Sequence, residues 1–251
     1  MTVSSISLNC DMGESYGLWR MGNDQHVMPH IDLTNIACGF HASDPHIMAQ
    51  TLGLASKHQV KVGAHPGYPD LQGFGRRSMT MEHTELSHIL IYQIGALSAL
   101  AHSQGLSLNH VKPHGALYND MQRDLGLFEA VCQAVAHFHL PLMTLATPNR
   151  DPFLDCADRY DVPLLFEAFI DRAYLASGTL APRAQPGAVL SDPDAILDQA
   201  NQIIRYQKVK TLDGEILPID ADTLCIHGDN PSSILIAQRL RQIIDQQGSQ
   251  G

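Results

Sequence analysis

Cysteine is scarce in this chain: five residues, Cys10, Cys38, Cys132, Cys156 and Cys225, none in a C-x-x-C pair. An odd count without paired spacing argues against a disulfide framework, and buried thiols are expected. Basic residues are also few, 16 against 26 acidic, for a net charge of -10. That balance disfavours a nucleic acid or an anionic membrane as partner, though it leaves room for a local anion site. No run of 18 apolar residues occurs, and the opening "MTVSSISLNCDMGES" has neither a basic region nor a long apolar stretch. No membrane span or signal peptide is therefore expected, and the chain reads as cytoplasmic. Walker A, G-x-G-x-x-G and H-E-x-x-H are all missing. Gly73 and Gly75 of "LQGFGRR" follow a proline-rich loop rather than a strand that leads into a helix.

What is present suits a folded α/β protein. The 251 residues are 44% apolar and 17% charged, enough to bury a sizeable core. Short apolar runs alternate with helical patterns. Seven runs have strand length: "SISLNCD", "IDLTNIACGF" (ending near His41), "QVKVGAHPG", "LSLNHVKPHG", "LPLMTLATP", "VPLLFEAFIDR" and "DTLCIHGDN" (ending at His227). They lack strict alternation, as expected where both faces of a parallel sheet are covered. Between them, Asp44–Pro45 and Asp192–Pro193 read as helix starts with proline at the first position. Leu86, Ile89, Leu90, Gln93, Ile94, Leu97 and Leu100 make the clearest helical stripe, with Gly105 placed to end it. Repeated strand–helix order calls for parallel strands and right-handed crossovers. No linker interrupts it, so residues 1–251 read as one domain. Periodicity leaves two architectures open, a closed barrel and an open doubly wound sheet.

Polar residues cluster where the strands should end: Asn9, Asp11 and Glu14; Asn35, His41 and Asp44; His65 and Asp70; Lys112, His114 and Asn119; Glu167, Asp171 and Arg172; His227 and Asp229. In α/β barrels the carboxyl ends of the strands carry the active site, so the recurrence favours an enzyme. Blander readings exist beside it. Asp44 suits a helix cap, Asp70 an anchor for the glycine-rich loop, and Arg76 and Arg77 a solvated pair. Lys112 resists such a reading, because a strand end is a poor place for a purely structural lysine. It suits binding of an anion or of developing oxyanion charge, with His114 placed to move a proton. Glu167 and Asp171 supply carboxylates, while Arg172 and Arg183 suit a substrate carboxylate. Asp11, His41 and His65 form an oxygen–nitrogen–nitrogen set suited to a divalent ion. They come from separate strand ends, so no compact motif supports a tightly bound metal, and a weakly held ion is left open.

Long motifs carry a resemblance. "LNCDMGESYGLW" at 8–19, "NIACGFHASDP" at 35–45, "VGAHPGYPDLQGFGRR" at 62–77, "YQIGALSALA" at 92–101, "VKPHGALYN" at 111–119, "EAFIDRAYLASGTLAPR" at 167–183 and "CIHGD" at 225–229 together resemble the LamB/YcsF family over nearly the whole chain. Departures are mild: Ser43 stands where the family usually has glycine, Met12 where leucine is common and Ile170 where alanine is common. The resemblance implies a seven-stranded, irregular (β/α) barrel of the glycoside hydrolase/deacetylase type. It further implies ATP-dependent opening of the 5-oxo-L-proline lactam to L-glutamate, with ATP and Mg2+ as cosubstrate. Partner B and C subunits are implied too; they would explain an ATP-linked chain without a familiar nucleotide loop. On this reading Asp11, His41, His65, Lys112 and His114 are catalytic, while Asn9, Glu14, Asn35, Glu167, Asp171, Arg172, Arg183, His227 and Asp229 bind substrate. A metal-dependent amidohydrolase that needs no ATP, or a lactam-binding subunit without turnover, are the alternatives. Homo-oligomerisation is compatible with all three.

Overall fold

The computed structural model describes residues 6–227 and 232–248, with His227, Gln247 and Gly248 described by their backbone alone. In chain order the elements are β1 (Ser7–Met12), α1 (Asp24–Val27), a 3-10 turn (Met28–His30), β2 (Leu33–Ala37), α2 (Pro45–His58), β3 (Lys61–His65), α3 (His83–Ser103), β4 (Leu108–Val111), α4 (Gly115–Asp120), α5 (Leu125–Ala136), β5 (Leu142–Leu145), α6 (Asp151–Asp158), β6 (Leu164–Phe169), α7 (Pro193–Tyr206), β7 (Lys208–Lys210), β8 (Ile216–Pro218), β9 (Thr223–His227) and α8 (Ser233–Gly248). Strands β1 to β6 and β9 form a closed barrel, and every pairing in it is parallel. Closure rests on β9, whose Thr223 registers with both Glu167 of β6 and Ser7 of β1. All seven apolar runs of strand length are barrel strands. β7 and β8, an antiparallel hairpin outside the barrel, add to that expectation. Its Asp213–Gly214 turn, with Gly214 at φ 87°, is the kind of signal that marks a hairpin.

The barrel is irregular in one sector. The register of β3 against β4 slips between Val62 and Gly63, and β4 meets β5 through the single pair Val111–Leu142. Strand alternation sends Leu8, Cys10 and Met12 toward the helical layer, where they join one large apolar cluster with Leu52, Leu90 and Ile94. The other face of β1 carries Asn9 and Asp11, which meet Asn35 of β2 and Lys112 just beyond β4. The barrel interior near the carboxyl ends is thus a polar network, where barrels of this kind are ordinarily filled by branched apolar side chains.

Helix starts follow the expected caps. Asp44 accepts hydrogen bonds from the backbone N–H groups of His46 and Ile47, and Asp192 accepts one from that of Ala195. On α2 the buried positions are Ile47, Met48, Thr51, Leu52 and Ala55, and Leu54 packs against the same core while only partly buried. β2 stops at Ala37, short of the expected end near His41, because Gly39 (φ 95°) and Ser43 (φ 74°) turn the chain and the Gly39 N–H bonds the Ala42 carbonyl. Ser43 adopts a left-handed conformation that glycine takes at least cost, which accounts for the glycine usual there in the family. All five cysteines are buried free thiols. Among the described residues no helix is long and apolar enough to cross a membrane.

Candidate active site

The strand ends converge on a cleft of about 360 Å³ lined by Asp11, Glu14, His65, Lys112, His114 and Phe169, with Arg76, Arg123, Arg172 and Arg183 around it. That size suits a small ligand. Four of the sequence-predicted clusters therefore meet in one space. Asp229 lies outside the described residues, as does the side chain of His227.

Lys112 organises the floor. Its side chain is only 2% exposed, and its Nζ lies 2.8 Å from Asp11 Oδ1 and 2.7 Å from Glu167 Oε1. It also approaches Cys225 Sγ at 3.3 Å and Asn9 Oδ1 at 3.4 Å. An ammonium has three hydrogens; the hydrogen bonds to Asp11, Cys225 and Asn9 engage them all, and Glu167 adds an ion pair. Burial works against the charged lysine, but Asp11, Cys225 and Glu167 outweigh it and hold the pKa well above the ordinary lysine value. The charge is thus retained by the network itself. Burial and the Glu167 carboxylate push the neighbouring Tyr118 hydroxyl well up.

Asp11 is held from a second side. Asn35 Nδ2 donates to Asp11 Oδ1 at 2.8 Å and to Asn9 Oδ1 at 2.9 Å, while His110 Nε2 donates to Asn35 Oδ1 at 2.6 Å. His110 is fully buried, and burial pushes its pKa down to about 3, so it is neutral. The ring fits only because the β3 position beside it is Gly63, where any Cβ would collide with it. Neither His110 nor Gly63 is among the residues expected at the site. A signal for His110 exists nonetheless: it stands two residues before Lys112, so the two must share the inner face. Asn9, Asn35 and Glu167 are fully buried. They serve the floor as its frame rather than as an open surface for substrate.

The histidines form a tight group beside Asp11. His65 Nε2 lies 3.3 Å from Asp11 Oδ2 and 2.9 Å from His114 Nδ1. His41 stacks on His114 with centroids 3.7 Å apart and planes 2° from parallel. Burial, then the neighbouring imidazoles, push His41 and His114 well below the usual histidine range. Glu14, His41, His65 and His114 each offer one ligand atom within 4.8 Å of the others. This group differs from the expected metal set of Asp11, His41 and His65: Glu14 and His114 enter, and Asp11 is tied to Lys112 and Asn35 instead.

The glycine-rich loop closes one wall. Asp70 accepts from the Gly73 N–H at 2.9 Å and pairs with Arg77, so Asp70 does fix the loop. Of the two adjacent arginines, Arg77 braces it and Arg76 lines the cleft. Arg172 donates to the carbonyls of Ala181 and Ala188, which shapes the segment carrying Arg183. Burial, then Arg183, lower the Arg172 pKa to about 10.

The sequence pattern that defines the LamB/YcsF family matches residues 6–251. The A subunit of 5-oxoprolinase from Vibrio cholerae serotype O1 is 60% identical over 98% of this chain and 100% of its own length. One of the 5-oxoprolinase A subunits of Pseudomonas aeruginosa is 53% identical, covering 97% of this chain and 98% of its own length. Among solved structures, a lactam utilization protein from Thermus thermophilus superposes with a TM-score of 0.89 at 43% identity, over 97% of each chain. The chain belongs to the LamB/YcsF family.

Proposed function

We propose that this chain is the lactam-opening subunit of an ATP-dependent 5-oxoprolinase in the cytoplasm, working with B and C partner subunits. The observation that carries the reading is the cleft itself. A carboxylate clamped by a buried lysine and a group of closely packed imidazoles meet at one small space rimmed by arginines. Relatives named as the A subunit of 5-oxoprolinase, similar over their whole length, support the substrate.

The chemistry follows from the stability of an amide. Phosphoryl transfer from ATP-Mg2+ to the lactam oxygen releases ADP and removes amide resonance. Water then adds to the activated carbon, losing a proton to a base on the floor. The carbon–nitrogen bond breaks, the nitrogen takes up a proton, and γ-glutamyl phosphate remains. A second water cleaves that acyl phosphate to glutamate and phosphate. Asp11, His65 and His114 are the proposed groups for these proton transfers, with His41 behind them. Lys112 sets the position and charge of Asp11, and its cation is available to oxyanion charge that develops beside Asp11. Arg76 and Arg183 are the proposed partners of the substrate carboxylate and the phosphoryl group. The nucleotide is assigned to surfaces completed by the B and C subunits.

The test mixes this chain with its B and C partners, 5-oxoproline, Mg2+ and ATP, and measures glutamate and ADP. Glutamate should form only with ATP and both partners present. The group of Glu14 and three histidines favours one alternative, a metal-dependent amidohydrolase without ATP. Glutamate release by the isolated chain without ATP would establish that alternative and sink the first.

A further inference from the structure

We propose that Glu14, His41, His65 and His114 form a binding site for one first-row divalent transition-metal ion of the zinc class, at the cleft floor beside Asp11. Binding of the ion stands apart from the oxoprolinase reading; only its role in activating water rests on that reading.

The hydrogen bonds of the rings carry the argument. His65 Nδ1 lies 2.7 Å from the Lys112 carbonyl oxygen, and His114 Nε2 lies 2.8 Å from the Phe74 carbonyl oxygen. A carbonyl only accepts, so both of those nitrogens carry the ring proton. In neutral rings the other two nitrogens, His65 Nε2 and His114 Nδ1, are then bare lone pairs. They face each other at 2.9 Å. Two lone pairs at that distance repel, unless something electron-deficient lies between or beside them. Histidine ligands of metals are commonly anchored through the far N–H to a main-chain carbonyl, which sets the tautomer and aims the lone pair at the ion.

His41 gives independent support. It is fully buried, and among the described residues neither of its ring nitrogens finds a hydrogen-bond partner. A buried polar group without a partner is costly, and a metal ion would supply the missing acceptor of its lone pair. Glu14 Oε1 stands 3.9 Å from His41 Nε2 and 3.8 Å from His114 Nδ1. Those separations are too long for hydrogen bonds. They do suit two ligands of one ion, because two bonds of ~2.1 Å allow ligand atoms to lie up to ~4.2 Å apart. The 2.9 Å His65–His114 separation corresponds, with such bonds, to a ligand–metal–ligand angle near ~90°. The widest separation in the group, within 4.8 Å, must close by about an ångström to suit tetrahedral bonds of that length, and the His41 ring must turn out of its parallel stack on His114 for both lone pairs to meet one ion.

Donor type selects the ion. Three imidazoles and one carboxylate suit Zn2+ and its neighbours, whereas Mg2+ and Ca2+ prefer oxygen. Glu14, His65 and His114 line the cleft while His41 lies beneath it, so an ion here would face the substrate space. Its chemistry there would be to acidify a water. Asp11, held by Lys112 and Asn35 rather than spent as a ligand, would accept the proton.

The test uses the isolated chain, without ATP or partners, after exhaustive dialysis against chelator. Zn2+, Co2+ and Mg2+ are titrated by calorimetry, and Co2+ also by its visible absorption. One Zn2+ or Co2+ per chain is expected, with Mg2+ much weaker. Glu14→Gln, His65→Gln and His114→Gln should each weaken Co2+ binding by at least about tenfold while circular dichroism shows them folded. The surface variant His46→Gln, whose side chain is exposed, should bind Co2+ like the parent. Failure of the folded parent to bind Zn2+ or Co2+ overturns the site. So does binding that survives in folded Glu14→Gln and His114→Gln, because the ion would then sit on other histidines. Either result is read without glutamate formation, so it is separable from failure of the oxoprolinase assay.

Discussion

Gly63→Ala puts the floor network to its most direct test. An added Cβ would overlap Nε2, Cε1 and Cδ2 of His110. The ring has nowhere cheap to go: His110 is fully buried and bound at 2.6 Å to Asn35, which in turn holds Asp11 at 2.8 Å. Overpacking of a filled interior costs about 2 kcal/mol. Weakening the buried His110–Asn35 hydrogen bond adds about 1 kcal/mol. For a chain of this size, a loss of about 3 kcal/mol lowers the melting temperature by roughly 6–12 °C. Displacing Asn35 also loosens Asp11, so turnover in the proposed assembly with B and C subunits should fall by about tenfold or more. Thermal melting followed by circular dichroism, beside the coupled glutamate assay, reads both effects. Removing the ring relieves the overlap, so Gly63→Ala/His110→Ala should melt higher than Gly63→Ala alone, a non-additivity expected of residues in contact. A Gly63→Ala chain that melts with the parent and turns over normally would refute the reasoning.

Two further outcomes follow from the same floor. Lys112→Met leaves Asp11 and Glu167 without their shared cation; breaking a buried pair from one side should cost about 3–5 kcal/mol in urea unfolding, and Glu167→Gln added to it should recover part of that loss. Unchanged stability with abolished turnover would instead mean that the ammonium acts directly on substrate charge. The second outcome concerns pH. His110 has its folded pKa pushed down to about 3, against roughly 6.5 when unfolded, so between those values the unfolded chain binds the extra proton. Its contribution is fully present above the unfolded value and is lost as the pH falls toward the folded one, at up to ~1.4 kcal/mol per pH unit. His110→Gln should flatten the fall in unfolding free energy across that window, and an unchanged slope would show that His110 is not buried and neutral.

Much of the architecture is legible because local rules and global fold agree. Apolar runs of strand length appear as the seven barrel strands, and Asp44–Pro45 and Asp192–Pro193 start helices as capping chemistry requires. The position of Asp11, His65, Lys112 and His114 at strand exits follows from those runs. The hairpin of β7 and β8 is not legible in the same way, since two three-residue strands carry little periodicity.

By itself, then, the amino-acid sequence determined the family, the order and parallel character of the strands, and which polar residues stand at their ends. Those properties depend on residue type and on neighbours along the chain. Only the tertiary structure decided between an open sheet and a closed barrel, through the double pairing of β9 with β1 and β6. It also decided partnership. Lys112 binds Asp11 and Glu167, His110 lies over Gly63, and Glu14 joins three histidines from separate segments. Such contacts depend on barrel curvature and on which rings have carbonyls within reach. Neither quantity is expressed in the spacing of residues along the chain.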